Sequence, residues 1–245
     1  DSQTSDISTE IVKGFRIDRG LISPSMATDE QGNAILDNPA VLVTDKPISK
    51  VEDFLKIMEA FSKTGTSKLA IFTDEMDGVA LASLSLNIKM GNLKAVAVRG
   101  PSFGNKRKQY LEDIATITGA TFFSDDTGRA IENIQPEDFG RCEKVESTKD
   151  HTTIVNGTGS QEAVGLRTAM LKATLEDTKS PMDQEFLKER LAKLSGGIGV
   201  IRVGAATETE AKEIKHRIED AICATRSAVE EGIVAGGGVA LIRAG

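Results

Sequence analysis

Apolar residues recur along this chain with two different spacings, and the change from one to the other marks out its elements. From Ala40 to Ser124, short apolar runs alternate with longer stretches of helical period. "AVLVT" from Ala40, "KLAIFT" from Lys68, "KAVAVR" from Lys94 and "ATFFS" from Ala120 read as strands. Between them, "SKVEDFLKIMEAFSKTG", "DGVALASLSLNIKMG" and "GNKRKQYLEDIATITG" read as helices. Ser49 with Glu52 three residues on marks the start of the first helix, and Gly65 marks its stop. This alternation predicts a mostly parallel sheet with helices packed on it.

The flanks read differently. Residues 1–10 are polar and predict a frayed end. "IVKGFRIDRG" reads as a strand interrupted at Gly14, and "SPSMATDEQGNAILDNP" as a loop with room for a short hairpin. "TGRAIENIQPEDFGRCEKVESTKDHTTIVNG" predicts short strands and turns, with Asn156-Gly157-Thr158 as a turn rather than a glycosylation site. "SQEAVGLRTAMLKATLEDT" and "PMDQEFLKERLAKLSGG" predict a helical hairpin around Lys179-Ser180-Pro181. "IGVIRVG" predicts a strand leading to one long helix. In that helix Ala211, Ile214, Ile218, Ile222, Thr225 and Val229 form an apolar stripe. Thr207 and Glu210 fit a capping box, and Gly232 suits a left-handed cap.

Composition narrows the function classes. The 245 residues allow one large domain or two small ones, with ordinary globular hydrophobicity. No apolar run approaches the ~18 residues of a membrane span, so no span is expected, and the residues given predict no signal peptide, although a fragment could have lost one. The net charge of −7 argues against nucleic-acid binding. The run Asn105–Lys108 offers phosphate contacts or a solvated helix start. Cys142 and Cys223 have no metal-ligand spacing and fit a reducing compartment; His151 and His216 read as surface residues.

Two helices carry more apolar surface than one buried stripe needs. Phe54, Ile57 and Phe61 form one row of the first, and Val51, Leu55 and Met58 another. Val79, Leu81, Leu84, Leu86 and Ile88 crowd the second. Either both helices are sandwiched in a core, or one row of each lines an exposed apolar groove, the mark of an interaction site. The strand-helix alternation alone also fits a doubly wound nucleotide-binding enzyme domain, although no strand leads into GxGxxG or GxxxxGK[ST].

Longer motifs add a resemblance. "LAKLSGGIGVI", "VGAATETE" and "RIEDAICATRSAVEEGIVAGGGVALIR" resemble the intermediate domain of group I chaperonins, the GroEL kind. "RGPSFGNKRKQYLEDIATITGA" resembles their apical domain. The likeness runs from about Gly14 to Gly245 and implies a middle segment of such a protein, without the Gly-Asp-Gly-Thr-Thr phosphate loop. The implied fold is α/β: a chaperonin apical domain, with sheets flanked by helices and a helical hairpin, plus a partial α+β intermediate domain. The implied division is an intermediate-domain edge at 1–13, an apical domain at 14–197, an intermediate strand and helix at 198–232, and the start of an equatorial domain at 233–245.

The resemblance also implies roles. Leu55, Met58, Leu81, Ser85 and Leu86, with Leu21, Ser25 and Met26 from a preceding loop, would bind unfolded polypeptide and then the mobile loop of a co-chaperonin. The family has aromatics at the Leu21 and Ser25 positions and a branched apolar residue at Ser85, so this groove should be shallower and more polar. Asp220 matches the residue that activates water for ATP hydrolysis, and Gly237 a glycine whose backbone meets the nucleotide. Gly14, Gly196 and Gly197 match hinges, and Arg19 and Glu208 an ion pair between sister subunits of a ring. ATP and magnesium would belong to the parent, an ATPase, with no cofactor or turnover expected of this segment itself. No metal, nucleic acid or membrane is expected. Its compartment would be the bacterial cytoplasm or an organelle interior.

Overall fold

The computed structural model describes residues 7–205, 207–236 and 239–244. Two compact units emerge: Val12–Ile198, and Asp1–Ile11 with Gly199–Gly245.

The larger unit holds a sheet whose centre is built from short apolar strands. β3 (Ala40–Thr44) is buried along its whole length. β4 (Lys68–Thr73) and β5 (Lys94–Arg99) add to it in parallel, in the order β5-β4-β3. Strands covered on both faces need continuous apolar runs, which these three supply. α1 (Val51–Ser62), α2 (Gly78–Lys89) and α3 (Gly104–Thr118) form the crossovers. β6 (Phe122–Phe123) pairs in parallel with β3 but is only two residues long.

On the other side of β3 the pairing becomes antiparallel. β7 (Gly140–Ser147) runs against β3 and against β8 (Thr152–Gly157), which in turn pairs with β1 (Ser8–Ile17). Two expectations change here. β1 continues through Gly14, which pairs with Val155 instead of interrupting the strand. The expected hairpin does not form, because β2 (Ala34–Asp37) pairs with β7. Asn156 lies within β8, at a φ of 47°, and not in a turn.

α4 (Gln161–Asp177) and α5 (Pro181–Ser195) form the helical hairpin. Ser160 and Ser180 cap them, each accepting a backbone N–H three residues on. A buried charge cluster fastens the hairpin to α3. Asp113, fully buried, accepts from Arg190 Nε at 2.6 Å and from Arg167 Nε at 2.8 Å. Arg190 also reaches the Gln109 carbonyl oxygen Oε1 at 2.6 Å, so its buried guanidinium is satisfied on two sides.

The predicted start of α1 is corrected. Its N-cap is Lys50, without a side-chain hydrogen bond, so Ser49 does not cap it. Tertiary burial of Phe54, Ile57, Ala60 and Phe61 fixes this helix instead of its cap.

β9 (Gly197–Arg202) runs from the larger unit into the smaller one, where α6 (Glu208–Glu231) follows. Thr207 caps α6, accepting the Glu210 N–H at 3.2 Å. At Gly232 φ is positive, 86°, but ψ is −171°, so the stop is not the helical left-handed cap expected. α7 (Val239–Ala244) closes the described chain. No residue of α6 whose burial is described is buried, and Ile222 and Val229 on its stripe are exposed.

Candidate functional site

α1 and α2 lie side by side, and each is apolar on two sides. Phe54, Ile57 and Phe61 of α1 point into the core, while Val51 and Leu55 are exposed and Met58 is half-buried. In α2, Ala80 and Leu84 are buried completely. Val79, Leu86 and Met90 are exposed, Leu86 at 57%. Stepping from Val79 by four, three and four residues reaches Ser83, Leu86 and Met90, which is one face of a helix. That step rule was available in the sequence and would have added Val79 and Met90 to the outward row. It also explains why Leu81 is half-buried and packed against the core: it belongs with Leu84 and Ile88 on the inner side.

The preceding loop packs beside α2 and β5. Leu21 bridges to Val98, and the Ile22 N–H donates to the Ala97 carbonyl at 2.9 Å. Pro24–Met26 make a single 3-10 turn that Ser23 caps. Met26 is fully buried, with its sulfur 3.2 Å from the Ala97 nitrogen, so it is a core residue and lines no groove. The loop must bury something to be held, and this unbranched side chain does so. Ser25 is exposed and donates to Ser85 Oγ at 2.9 Å. The two serines therefore tie the loop to α2.

The remaining residues expected to act fall in both units. Asp220 is exposed on α6 beside Glu219, with no side-chain partner among the described residues. Gly237 lies outside the described residues. Glu208 pairs with Lys212 one turn on, at 3.1 Å. The Arg19 carbonyl accepts from Thr152 at 2.8 Å. Gly196 caps α5 at a φ of −81°, and a Cβ there would come within 2.6 Å of the Ala192 carbonyl oxygen. Close approach, not a left-handed conformation, is what that glycine provides.

The basic run at the start of α3 is neutralised. Lys106 faces Asp183 at 3.7 Å, Arg107 is buried against Asp74, and Lys108 bridges Asp45 and Asp126. Each of its three cations is therefore paired with a carboxylate. Carboxylates at the ends of β3 and β4 hold it, where a doubly wound enzyme would seat its ligand. Among the described residues no group of His, Cys, Asp and Glu could hold a metal ion. No helix among them is long and apolar enough to cross a membrane. Compared with known families, the chain matches the model of the TCP-1/cpn60 chaperonin family over residues 2–244.

Proposed function

This chain belongs to the TCP-1/cpn60 chaperonin family, and with it goes a chaperone-type function; from that premise we propose that Val12–Ile198 is an apical, polypeptide-binding body of the group I kind. The proposed ligands are unfolded polypeptide and the mobile loop of a co-chaperonin. The parent would be an ATP-driven ring in which Asp220 and Gly237 serve nucleotide hydrolysis, Gly14, Gly196 and Gly197 act as hinges, and Arg19 and Glu208 meet across subunits.

One observation carries the reading. Two adjacent helices keep exposed rows of large apolar side chains, Val51 and Leu55 on one and Val79, Leu86 and Met90 on the other. Exposed rows of this kind mark an interaction surface. The ligand would lie along those rows, with Leu21 at the rim. The hydroxyls of Ser25 and Ser85 would give that part of the surface a polar floor. The rival reading, a nucleotide-binding enzyme, is disfavoured by the ion pairs that occupy the strand ends. The test is capture of a chemically unfolded protein from dilution, compared between the native chain and Leu86→Ser. Weakened capture with an unchanged fold supports the proposal. Undiminished capture, or micromolar binding of Mg-ATP by this chain, would overturn it.

A further inference from the structure

A cavity of about 450 Å³ opens between α4, the end of α5 and the strands β1 and β8, within the larger unit and away from the α1–α2 rows. That volume lies in the range of small-molecule sites, about 300–1,000 Å³. Phe15, Ile117, Ile154, Val164 and Leu194 form its apolar wall. Its charged lining among the described residues is Lys13, Lys172 and Lys193, with no carboxylate among them, in a chain where acidic residues outnumber basic ones 37 to 30. Lys193 is held by Glu189 at 2.9 Å and Asp18 at 3.4 Å. Lys13 and Lys172 have no ion-pair partner among the described residues and are exposed.

The glycines of the wall separate into two kinds. At Gly157 and Gly159 an added Cβ would strike the carbonyl oxygens of Ile117 and Thr116 at 2.1 and 2.0 Å, so packing against α3 requires them. Gly165 is different. It sits inside α4, where only proline is a poorer helix former. Its φ is not positive, and a Cβ there would meet nothing within 4 Å. Neither backbone conformation nor close packing accounts for it. Gln161, Gly165, Thr168 and Lys172 follow one another at four-, three- and four-residue steps, so one face of α4 lines the cavity. A glycine there keeps the cavity open.

We propose that this cavity binds an amphipathic carboxylate, an acyl chain of medium length. Its chain would lie on the apolar wall beside Gly165, and its head group would meet Lys172 and Lys13. Such an occupant would also touch Gly14 and Gly196, which line the same cavity near the two points where the chain leaves this unit.

Decanoate is the probe, titrated calorimetrically into the whole chain. Saturable binding of one equivalent is expected. Gly165→Leu should fill the cavity and weaken binding at least about tenfold, while Gly165→Ala should bind nearly as the native chain does. The pair Lys13→Gln with Lys172→Gln should weaken decanoate about tenfold and leave decanol unaffected. Inorganic phosphate alone should not compete. Leu86→Ser should leave decanoate binding unchanged, which separates this site from the proposed polypeptide surface. Melting curves show whether each variant is folded. The proposal is overturned by no saturable binding to the native chain, by full binding to a folded Gly165→Leu, or by decanol binding as tightly as decanoate.

Discussion

At the scale of single residues, burial decides more than residue type. The two cysteines show it. Cys142 is buried between β7 and its neighbours, whereas Cys223 is exposed on α6. Burial pushes the Cys142 thiol up from 9.0 to about 12, and a backbone hydrogen bond at Lys144 offsets only part of that. Because the thiolate is the reactive form, iodoacetamide at neutral pH should alkylate Cys223 in the folded chain and reach Cys142 only in denaturant. Equal labelling of both in the native state, read by mass spectrometry, would refute this. The same shift makes stability depend on pH. In the unfolded chain the thiol loses its proton near 9; in the folded chain it keeps it until about 12. Its contribution is therefore complete below pH 9 and is lost as pH rises toward 12, at about 1.4 kcal/mol per pH unit. Burial and a Glu189 contact raise Tyr110 as well, which adds a loss of the same sign. Cys142→Ala should flatten the alkaline limb of a stability–pH curve measured by urea unfolding. Parallel limbs in the two proteins would count against the assignment.

At the scale of elements, α2 poses a choice that the sequence left open and the packing resolves. Leu84 is fully buried, so Leu84→Ser removes a core side chain and should cost about 2–5 kcal/mol. Leu86→Ser removes an exposed one and should shift the urea midpoint little, with capture of unfolded protein weakened. A large midpoint shift for Leu86→Ser would mean that α2 is buried on both faces. The hairpin of α4 and α5 gives a second test. Asp113→Asn would leave Arg167 and Arg190 against a neutral group in a buried site. Breaking a buried pair this way costs about 3–5 kcal/mol, and urea unfolding should show it. A change under about 1 kcal/mol would mean that the arginines find other partners. The periodicity of apolar residues made α1 to α5 and the parallel strands legible, because period is a direct consequence of which side is buried. Three features were not legible, each because a distant contact decides it. Met26 is drawn inward by β5, and β2 is captured by β7 instead of by its own loop. The basic start of α3 meets carboxylates from Asp45, Asp74, Asp126 and Asp183, far apart in sequence.

At the scale of the whole molecule, apolar burial is unevenly shared. Among the described residues, every buried hydrophobic side chain except Val203 belongs to Val12–Ile198. α6 has a cap, a stop and intrahelical pairs such as Glu213–Arg217 at 2.6 Å, but no buried side chain among those described. Exposed pairs of this spacing contribute only about 0.3–0.5 kcal/mol each. A helix stabilised mainly by its own backbone opens locally at far lower cost than a packed core. The two units should therefore respond separately to a protease. Brief trypsin treatment of the native chain should cut first in α6, at Lys212, Lys215 or Arg217, and leave Val12–Ile198 intact. A chain ending at Arg202 should keep the melting temperature of the larger unit within a few degrees, because it loses little of the buried apolar surface that sets it. Initial cleavage within β3, β4 or β5, or collapse of the melting transition on truncation, would show that the smaller unit supports the core, and the division of stability argued from burial would be wrong.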